Sequence, residues 1–468
     1  MKQLSWLAFA IDRSTKVPVF EQICAEIRAR IIAGTLGQGV ALPPTRVFAT
    51  ELGVSRSTIV TAYEQLVAEG YLEAKPGSGF RVCAMGEVEL AEPKPAVSAP
   101  VTETGPRAPR AFEPSQPDMR LFPHTQWAKT VSRVCRTNPQ AMLTGGGSFG
   151  NLDLRRAIAR HVSDWRGIEA SPSQIIITAG ATDGLENCMR TLLAQGDRIG
   201  IEDPGYQPIR VFAQAMGLRP RMLALDDAGA EVPKGPDMPQ VVVLTPSHQY
   251  PLGGAMTPNR RLDYIHWAQQ TNGWIIEDDY DSEFRYAGRP IPAMAGFDQI
   301  SRTIYIGSFS KIFSNTLRLG YLIVPEPLLP DFRATLRRFG VRASYMPQQA
   351  LAEFIDSGEF YRHLRRVRRV YGERRKYLVD RLTAEFSQWG QVADHQAGMQ
   401  IVFHLHGGIS DRDIAVRAAA LGLTSEALSA FCMEPDKYSG LVLGFCGFTI
   451  DELGTALDTL KQVFLRSG

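Results

Sequence analysis

The sequence lacks paired cysteines, a strong net charge and long apolar runs. Its 468 residues include 6 cysteines, none of which stands in a CxxC pair, so the sequence predicts no metal site and no disulfide framework. Free thiols suit the reducing cytoplasm, which is the expected location. The formal net charge of +2 argues against polyanion binding by the whole surface, so any contact with nucleic acid must come from a local patch. No run of about 18 apolar residues suggests a membrane span.

A change of composition divides the chain. From residue 84 onward, proline, alanine and glutamate dominate and no apolar period survives, which is typical of a semi-extended tether. We therefore expect a small N-terminal module over residues 1–83, a linker over residues 84–114 and a larger module over residues 115–468.

The small module has the pattern of a helix-turn-helix. Apolar residues recur at helical spacing from Phe20 to Ile31 and predict one helix. Residues 47–52 predict a second, short helix that ends at Gly53, and Ser55 is a favourable N-cap for a third. Two short helices joined by a tight glycine-containing turn form a helix-turn-helix. Taken alone, the pattern is equally typical of a small helical domain with a polar helix start.

The stretches LPPTR, LGVSRSTIVTAYEQL, EGYL and GSGF occur in this order over about residues 10–83. Together they resemble the winged helix-turn-helix of GntR-type bacterial regulators, a mainly α-helical domain that binds double-stranded DNA. The resemblance implies that phosphates or base edges are contacted by Arg46, Ser55, Arg56, Ser57, Thr58 and, in the wing, Gly77. Arg56 is the favoured base contact, because a guanidinium matches the two acceptors of guanine.

The larger module contains six short apolar runs, separated in several places by helix-like stretches. They occupy residues 174–178, 198–202, 240–245, 273–278, 303–307 and 319–324. Continuous apolar strands of this kind indicate a sheet that is buried on both faces, and therefore an α/β fold. Ligands of such sheets bind at the carboxyl ends of the strands.

Polar and aromatic residues follow five of these runs. A small-residue turn over residues 179–184 offers free N–H groups to a phosphate, while Tyr206, Asp278 and Lys311 add an aromatic ring, a carboxylate and an amine. Each of these features, standing alone, is more often an ordinary turn, core or surface residue. As a set they are the groups that hold pyridoxal phosphate by its aldehyde, pyridine nitrogen, ring and phosphate.

The motifs TPSHQYPLG, EDDYDSEFRY, SFSK followed by LRLGY, and HLRRVRRVYGERRKYL also occur in order. Through them, residues 115 to about 466 resemble a fold-type-I aminotransferase, and the whole chain resembles a regulator of the MocR/GabR type. The resemblance implies an α/β aminotransferase-like domain that binds pyridoxal 5'-phosphate and ends in a smaller C-terminal α+β subdomain.

The same resemblance assigns roles to individual residues. Lys311 would form the internal aldimine with the cofactor, Asp278 would pair with the pyridine nitrogen, Tyr280 would bond the ring hydroxyl and Tyr206 would stack on the ring. The phosphate would be held by Ala181, Thr182, Ser308, Ser310 and Arg318. His248 and Gln249 occupy the segment where aminotransferases usually carry an asparagine, and they would line the ring edge.

Two positions depart from the aminotransferase pattern. Val442 stands where those enzymes place the arginine that binds the substrate carboxylate, and Gly145 stands where many relatives place a tyrosine that reaches the neighbouring subunit's phosphate. Losing the arginine removes the bidentate clamp for an ordinary α-amino acid and disfavours efficient turnover. Another arginine such as Arg210 remains a candidate substitute.

A run of arginines over residues 362–381 invites a DNA-binding interpretation. Apolar residues at mostly helical spacing favour instead an amphipathic helix with a solvated basic face. The basic face is expected to contain Arg365, Arg366, Arg368, Arg369, Arg374 and Arg375. Contact of this helix with DNA stays open.

The favoured function is a transcriptional regulator that senses an amine-bearing effector by aldimine exchange at Lys311. Its aminotransferase-like domain is expected to be vestigial, and the sequence leaves open whether any transaminase turnover remains. A working aminotransferase with a fused DNA-binding module is the alternative. A sensor of the cofactor itself is a third possibility. A homodimer, a double-stranded DNA operator and a small amine or amino-acid-like effector are the expected partners. The sequence leaves open the effector, the operator and whether transcription is activated or repressed.

Overall fold

The computed structural model describes residues 10–75, 79–84, 108–140, 146–288, 291–393, 395–433 and 437–466. The chain separates into two compact units, residues 1–105 and residues 106–468. The finer division expected from the sequence, with boundaries after residues 83 and 114, stays a prediction.

The described part of the first unit contains three helices and a two-stranded antiparallel sheet. They are α1 (Val19–Ile32), α2 (Thr45–Leu52), α3 (Arg56–Ala68), β1 (Leu72–Lys75) and β2 (Gly79–Val82). The apolar period of α1 points Ile23, Ile27 and Ile31 into a core shared with Ile59 and Leu66 of α3. The unit is therefore the winged helix-turn-helix that the sequence predicted.

The turn between α2 and α3 forms for local reasons. Gly53 ends α2 in the left-handed conformation, with φ of 62°, which a residue without a Cβ adopts at little cost. Ser55 then caps α3, because its Oγ accepts a hydrogen bond from the Thr58 backbone N–H at 3.1 Å. These two residues fix where the exposed start of α3 begins.

The second unit is built on an eight-stranded sheet. Its strands are β3 (Ile175–Thr178), β4 (Arg198–Asp203), β5 (Arg219–Asp226), β6 (Gly229–Ala230), β7 (Val241–Leu244), β8 (Trp274–Asp279), β9 (Thr303–Ser308) and β10 (Gly320–Ile323). Their spatial order is β3-β10-β9-β8-β7-β4-β5-β6. Neighbouring strands are parallel within the set β4, β5, β7, β8 and β9, whereas β10 is antiparallel to both β3 and β9. The six predicted apolar runs correspond to β3, β4, β7, β8, β9 and β10.

Helices cover this sheet, which explains why several of its strands are buried along their whole length. Every residue of β3, β7 and β10 is buried. Among the residues that the structure describes, the α-helices of this unit before the small sheet are His124–Thr137, Leu152–Arg166, Ala181–Leu192, Gln207–Ala215, Pro258–Thr271, Met294–Phe297, Leu329–Phe339, Met346–Asp356 and Glu359–Glu385. Within the described ranges, no helix is both long enough and apolar enough to span a bilayer.

A smaller antiparallel sheet forms the C-terminal subdomain. Its strands are β11 (Gly390–Val392), β12 (Gln400–Leu405), β13 (Glu426–Ala427) and β14 (Gly440–Gly444), in the order β11-β12-β14-β13. The helices Asp411–Ala420 and Ile450–Leu465 complete it. The predicted fold class, a winged helix-turn-helix followed by an α/β aminotransferase-like domain with an α+β subdomain, is confirmed.

The basic helix Glu359–Glu385 differs from expectation at two arginines. Arg374 and Arg375 are buried, not solvated. Arg374 forms an ion pair of 2.8 Å with the buried Asp118, and Arg375 donates to the carbonyl of His395 at 3.1 Å. The prediction that both belong to a solvated face was wrong, because their partners lie far away in sequence.

Candidate functional site

A cavity of about 790 Å³ opens at the sheet edge where β3, β4, β8 and β9 end. Parallel strands bring the loops that follow them to one edge, so residues distant in sequence meet there. Nine residues predicted to bind the cofactor line the cavity: Ala181, Thr182, Tyr206, Asp278, Tyr280, Ser308, Ser310, Lys311 and Arg318.

Lys311 follows β9 and lies in the cavity wall. Its Nζ donates a hydrogen bond to the backbone carbonyl of Ser115 at 3.0 Å. Burial lowers the pKa of the Lys311 amine, although the carboxylates of Asp281 and Asp278 oppose this shift. A lysine whose pKa is lowered carries more of the free amine that forms imines.

Asp278, near the end of β8, is the most unusual polar group of the cavity. The residue is 6% exposed, and its Oδ1 has no hydrogen-bond partner among the described residues. Burial raises the pKa of its carboxyl to about 7, and the nearby carboxylates of Asp279 and Glu202 add to this effect. A buried carboxylate oxygen without a partner is costly unless a ligand supplies a donor.

Tyr280 lies between the cavity and a buried pair behind it. Its hydroxyl oxygen is 2.8 Å from Nδ1 of His248, and the same Nδ1 is 2.9 Å from an Asp281 carboxylate oxygen. Both His248 and Asp281 are buried. The pair therefore holds the Tyr280 hydroxyl in place, while the tyrosine itself lines the cavity.

The role predicted for His248 and Gln249, at the edge of the cofactor ring, stays a prediction. Neither residue is part of the cavity wall. The imidazole of His248 is directed to Asp281, because that buried carboxylate needs a donor. The Gln249 amide donates to the backbone carbonyls of Pro204 at 2.8 Å and Tyr250 at 2.7 Å, so it fixes the loops around the cavity.

Another part of the cavity is suited to an anion. The helix Ala181–Leu192 begins there, with free backbone N–H groups in its first turn. Ser308, Ser310 and Arg318 line the same cavity. The Arg318 guanidinium is exposed and has no ion-pair or hydrogen-bond partner within the described part of the chain. These groups offer positive charge and donors to a phosphate.

Several cavity residues were missed by sequence reasoning. Ser115 is the first residue after the predicted linker, and Tyr250 packs edge-to-face on Tyr206 with ring centroids 5.7 Å apart. Arg342 is paired with Glu186, and Glu426 comes from the short strand β13. Only Tyr250 stood in a quoted motif, TPSHQYPLG, while the other three positions carry no local sequence signal.

The position of the missing arginine is also occupied differently from an aminotransferase. Val442 is fully buried on β14, packed against Val402 and Leu428. Arg210, the suggested substitute, donates to the sulfur of Met433 at 2.7 Å and is absent from the cavity wall. Gly145 lies outside the described residues.

In the first unit, the predicted DNA contacts gather at the start of α3. Arg46, Ser55, Arg56 and Ser57 are exposed, whereas Thr58 is half-buried and bonded to the capping Ser55. The Arg56 guanidinium makes one long hydrogen bond, of 3.4 Å, to Thr45 and is free to move toward a ligand. Gly77 of the wing lies outside the described residues.

Together, the winged helix-turn-helix and the cavity at the sheet edge define a class of protein that joins a DNA-reading domain to an aminotransferase fold. Family comparison agrees with both parts. Residues 20–82 match the model for bacterial regulatory proteins of the gntR family, and residues 116–424 match aminotransferase class I and II. The chain belongs to the MocR-type family of transcriptional regulators, in which these two domains are fused.

Two curated relatives cover nearly the whole chain. The chain is 33% identical to the probable rhizopine catabolism regulatory protein MocR of Rhizobium meliloti, over 97% of this chain and 95% of the relative. It is also 33% identical to the pyridoxine biosynthesis regulator PdxR of Corynebacterium glutamicum, over 98% and 99%. An archaeal alanine:glyoxylate aminotransferase shares the fold, with a TM-score of 0.71 at 21% identity over 78% of this chain and 92% of that one.

Proposed function

We propose that this protein is a DNA-binding regulator whose larger unit binds pyridoxal 5'-phosphate and senses a small amine through Lys311. The observation that carries the proposal is the meeting, in one cavity, of the Lys311 amine and the unpartnered Oδ1 of Asp278. An amine and a buried carboxylate that needs a donor are what a pyridine aldehyde requires. Through the winged helix-turn-helix of the same chain, amine sensing would change DNA binding.

The cavity fits the cofactor at three points. The Asp278 carboxylate would accept a hydrogen bond from a protonated pyridine nitrogen, which satisfies its free oxygen. The first turn of helix Ala181–Leu192 and the Arg318 guanidinium would balance the phosphate charge. The Tyr280 hydroxyl, held by His248, is available to the ring hydroxyl. When bound, pyridoxal phosphate supplies an aldehyde that condenses with primary amines.

Lys311 and an effector amine would compete for that aldehyde. If the effector amine took the aldehyde, Lys311 would be released. Its Nζ could then donate to the Ser115 carbonyl, a hydrogen bond that measures 3.0 Å in this structure. Ser115 has a strained backbone, with φ of 60°, and its hydroxyl donates to Gln400 of β12 at 3.2 Å. A change at the lysine therefore acts on the segment that directly follows the predicted linker. The effector shifts DNA binding only if it binds one arrangement of this segment better than another.

The MocR-type relatives are curated as transcriptional regulators, and regulation is the favoured role of this chain. A fused aminotransferase is the weaker alternative, because Val442 offers no guanidinium for a substrate carboxylate. Steady conversion of an amino acid and a keto acid by the purified protein, at roughly 1 per second or faster, would favour the enzyme instead.

We further propose that the protein acts as a homodimer in the cytoplasm. Two winged helices related by a two-fold axis read two DNA half-sites, which explains why such regulators pair. The operator is chromosomal DNA, which lies in that compartment.

A second candidate function is sensing of the cofactor itself. It is favoured by the 33% identity to a regulator named for pyridoxine biosynthesis. DNA affinity measured with and without pyridoxal phosphate, in the absence of any amine, separates the two candidates. A large change without amine supports the cofactor as the signal, whereas no change supports an amine effector.

The main test uses Lys311→Ala and, as a control, Lys461→Ala, whose surface ion pair with Glu385 lies outside the cavity. A DNA fragment is selected by the wild-type protein from random sequence, and its affinity is measured with a panel of primary amines. We expect Lys311→Ala to bind the fragment but to lose the amine response, whereas Lys461→Ala keeps both. An unchanged response in Lys311→Ala would refute the proposed role of this lysine.

A further inference from the structure

The small sheet presents a carboxylate to the cavity. Glu426 of β13 lies opposite Val442 of β14, and Val442 lies opposite Val402 of β12. Directly opposed residues of an antiparallel pair point to the same face, so these three side chains form a row. Val402 and Val442 are buried against Tyr250, whereas Glu426, at the edge, lines the cavity.

Glu426 has a charge without a counter-charge. Among the residues that the structure describes, none forms a hydrogen bond or an ion pair with its side chain. Burial raises the pKa of the Glu426 carboxyl, and the Glu113 carboxylate nearby raises it further. Glu426 likewise contributes to the raised pKa of the Tyr250 hydroxyl, which places it close to another cavity residue. A cation bound here would relieve both effects.

The guanidinium groups of the described cavity wall are placed for other purposes. Arg342 is paired with Glu186 and lies 3.6 Å from Asp183, and Arg318 lies with the groups suited to phosphate. An effector carboxylate would therefore meet Glu426 without a free guanidinium to bind it. On the face of the small sheet where an aminotransferase has a cation, this chain has an anion.

We propose that Glu426 selects the effector by binding a second cationic group, so that the effector is a small aliphatic diamine. This inference rests on the proposed function, because the first amine is the one that reaches the cofactor's aldehyde. The rings of Tyr206 and Tyr250 line the same cavity, and aromatic faces attract ammonium groups. A carboxylate with aromatic neighbours suits an ammonium and opposes a carboxylate.

The test compares three four-carbon amines that differ only at the far end: 1,4-diaminobutane, 4-aminobutanoate and 1-aminobutane. The half-saturating concentration of each is read from the visible absorption of cofactor-loaded protein. We expect the wild type to favour the diamine over the other two by about tenfold or more, as a charged hydrogen bond provides. Glu426→Gln should raise the half-saturating concentration of the diamine by a similar factor and leave that of 1-aminobutane unchanged. Glu353→Gln, which removes a surface partner of Arg133, is the control and should change nothing.

The outcomes separate this inference from the proposed function. The same comparison is made at three and six carbons, and a preference for the diamine at one length supports the inference. The inference is overturned if the amino acid binds more tightly than the diamine at every length, or if Glu426→Gln keeps the wild-type preference for the diamine. In either case, a change of visible absorption on adding amine still supports the proposed function. If the protein binds no cofactor, the proposed function is refuted. The inference is then tested by calorimetry, which measures the heat of binding of 1,4-diaminobutane to the protein without cofactor. A heat of binding that is lost in Glu426→Gln supports the carboxylate site. Equal heats in the wild type and in Glu426→Gln reject it.

Discussion

Replacing Asp278 by asparagine should stabilise the protein without cofactor and weaken its hold on the cofactor. The folded carboxyl has a pKa of about 7, against 3.8 for an exposed aspartate, so the folded state binds more protons. Stability must then fall as the pH rises from about 4 to about 7, by roughly 4 kcal/mol in total. Asparagine has no charge to bury, so the Asp278→Asn variant escapes this loss.

The size of the difference depends on pH in a defined way. Between pH 5 and pH 8, the advantage of Asp278→Asn over the wild type should grow by about 2–3 kcal/mol. Asp278→Asn should bind the cofactor more weakly than the wild type does. It loses a charge-assisted hydrogen bond to the pyridine nitrogen, which is worth about 1.5–3 kcal/mol. That corresponds to an affinity about tenfold to a hundredfold lower.

Asp279 provides a matched control one residue away. Its carboxylate is already paired, with Arg166 at 2.7 Å and with the Tyr305 hydroxyl at 2.6 Å. Asp279→Asn leaves the buried Arg166 without its carboxylate partner, so it should destabilise the protein by about 3–5 kcal/mol. Two adjacent aspartates are thus expected to respond with opposite signs.

The assay is urea unfolding of wild type and both variants without cofactor at pH 5 and pH 8, followed by pyridoxal phosphate titration at pH 8. The reasoning is refuted if Asp278→Asn is less stable than the wild type at pH 8. It is equally refuted if this variant binds the cofactor as tightly as the wild type does.

Three further predictions concern local contacts. Ser55→Ala removes the cap of α3 and should cost about 1 kcal/mol, seen as about fivefold faster hydrogen exchange of α3 amides. Arg56→Ala should weaken binding to the selected DNA about tenfold, whereas Arg28→Ala should not, because Arg28 is already paired at 2.7 Å with a glutamate. Gly444→Ala places a Cβ against the Glu113 carbonyl oxygen, closer than van der Waals contact allows, so it should lower both the urea midpoint and cofactor affinity.

Each of these predictions has a clear contrary result. Unchanged exchange in Ser55→Ala would mean that the cap does not limit opening of α3. Equal losses of DNA affinity in the Arg56 and Arg28 variants would indicate a general charge effect, not a contact at the start of α3. A Gly444→Ala protein that unfolds and binds cofactor like the wild type would show that the segment at Glu113 moves aside without cost.

Local patterns predicted the parts of the fold whose physics is local. The strand that contains Asp278 begins with an apolar run, and the strand before Lys311 is mostly apolar. Such runs form buried strands wherever helices cover both faces. Gly53 and Ser55 likewise determine the turn before α3 by their own conformational preferences. Because parallel strands end at one edge, the separate loops could be expected to form one site.

Long-range pairing could not be predicted from such patterns. Arg374 resembles its exposed neighbours in the basic helix, but Asp118, 256 residues away, draws it into the core. His248 stands after a strand like a ligand-binding residue, yet its Nδ1 lies 2.9 Å from a carboxylate oxygen of the buried Asp281, 33 residues away. Glu426 comes from a strand of 2 residues, which is too short to show a period. For Arg374 and His248 the distant partner, not the local sequence, decides the orientation.

The most direct test of the central claim is to find which lysine the cofactor occupies. The purified protein is incubated with pyridoxal phosphate, treated with borohydride, which reduces a C=N bond to a stable amine, and digested for mass spectrometry. We expect one modified peptide, carrying the phosphopyridoxyl group on Lys311. An unmodified chain, or a label on other lysines while Lys311 stays free, would contradict the account.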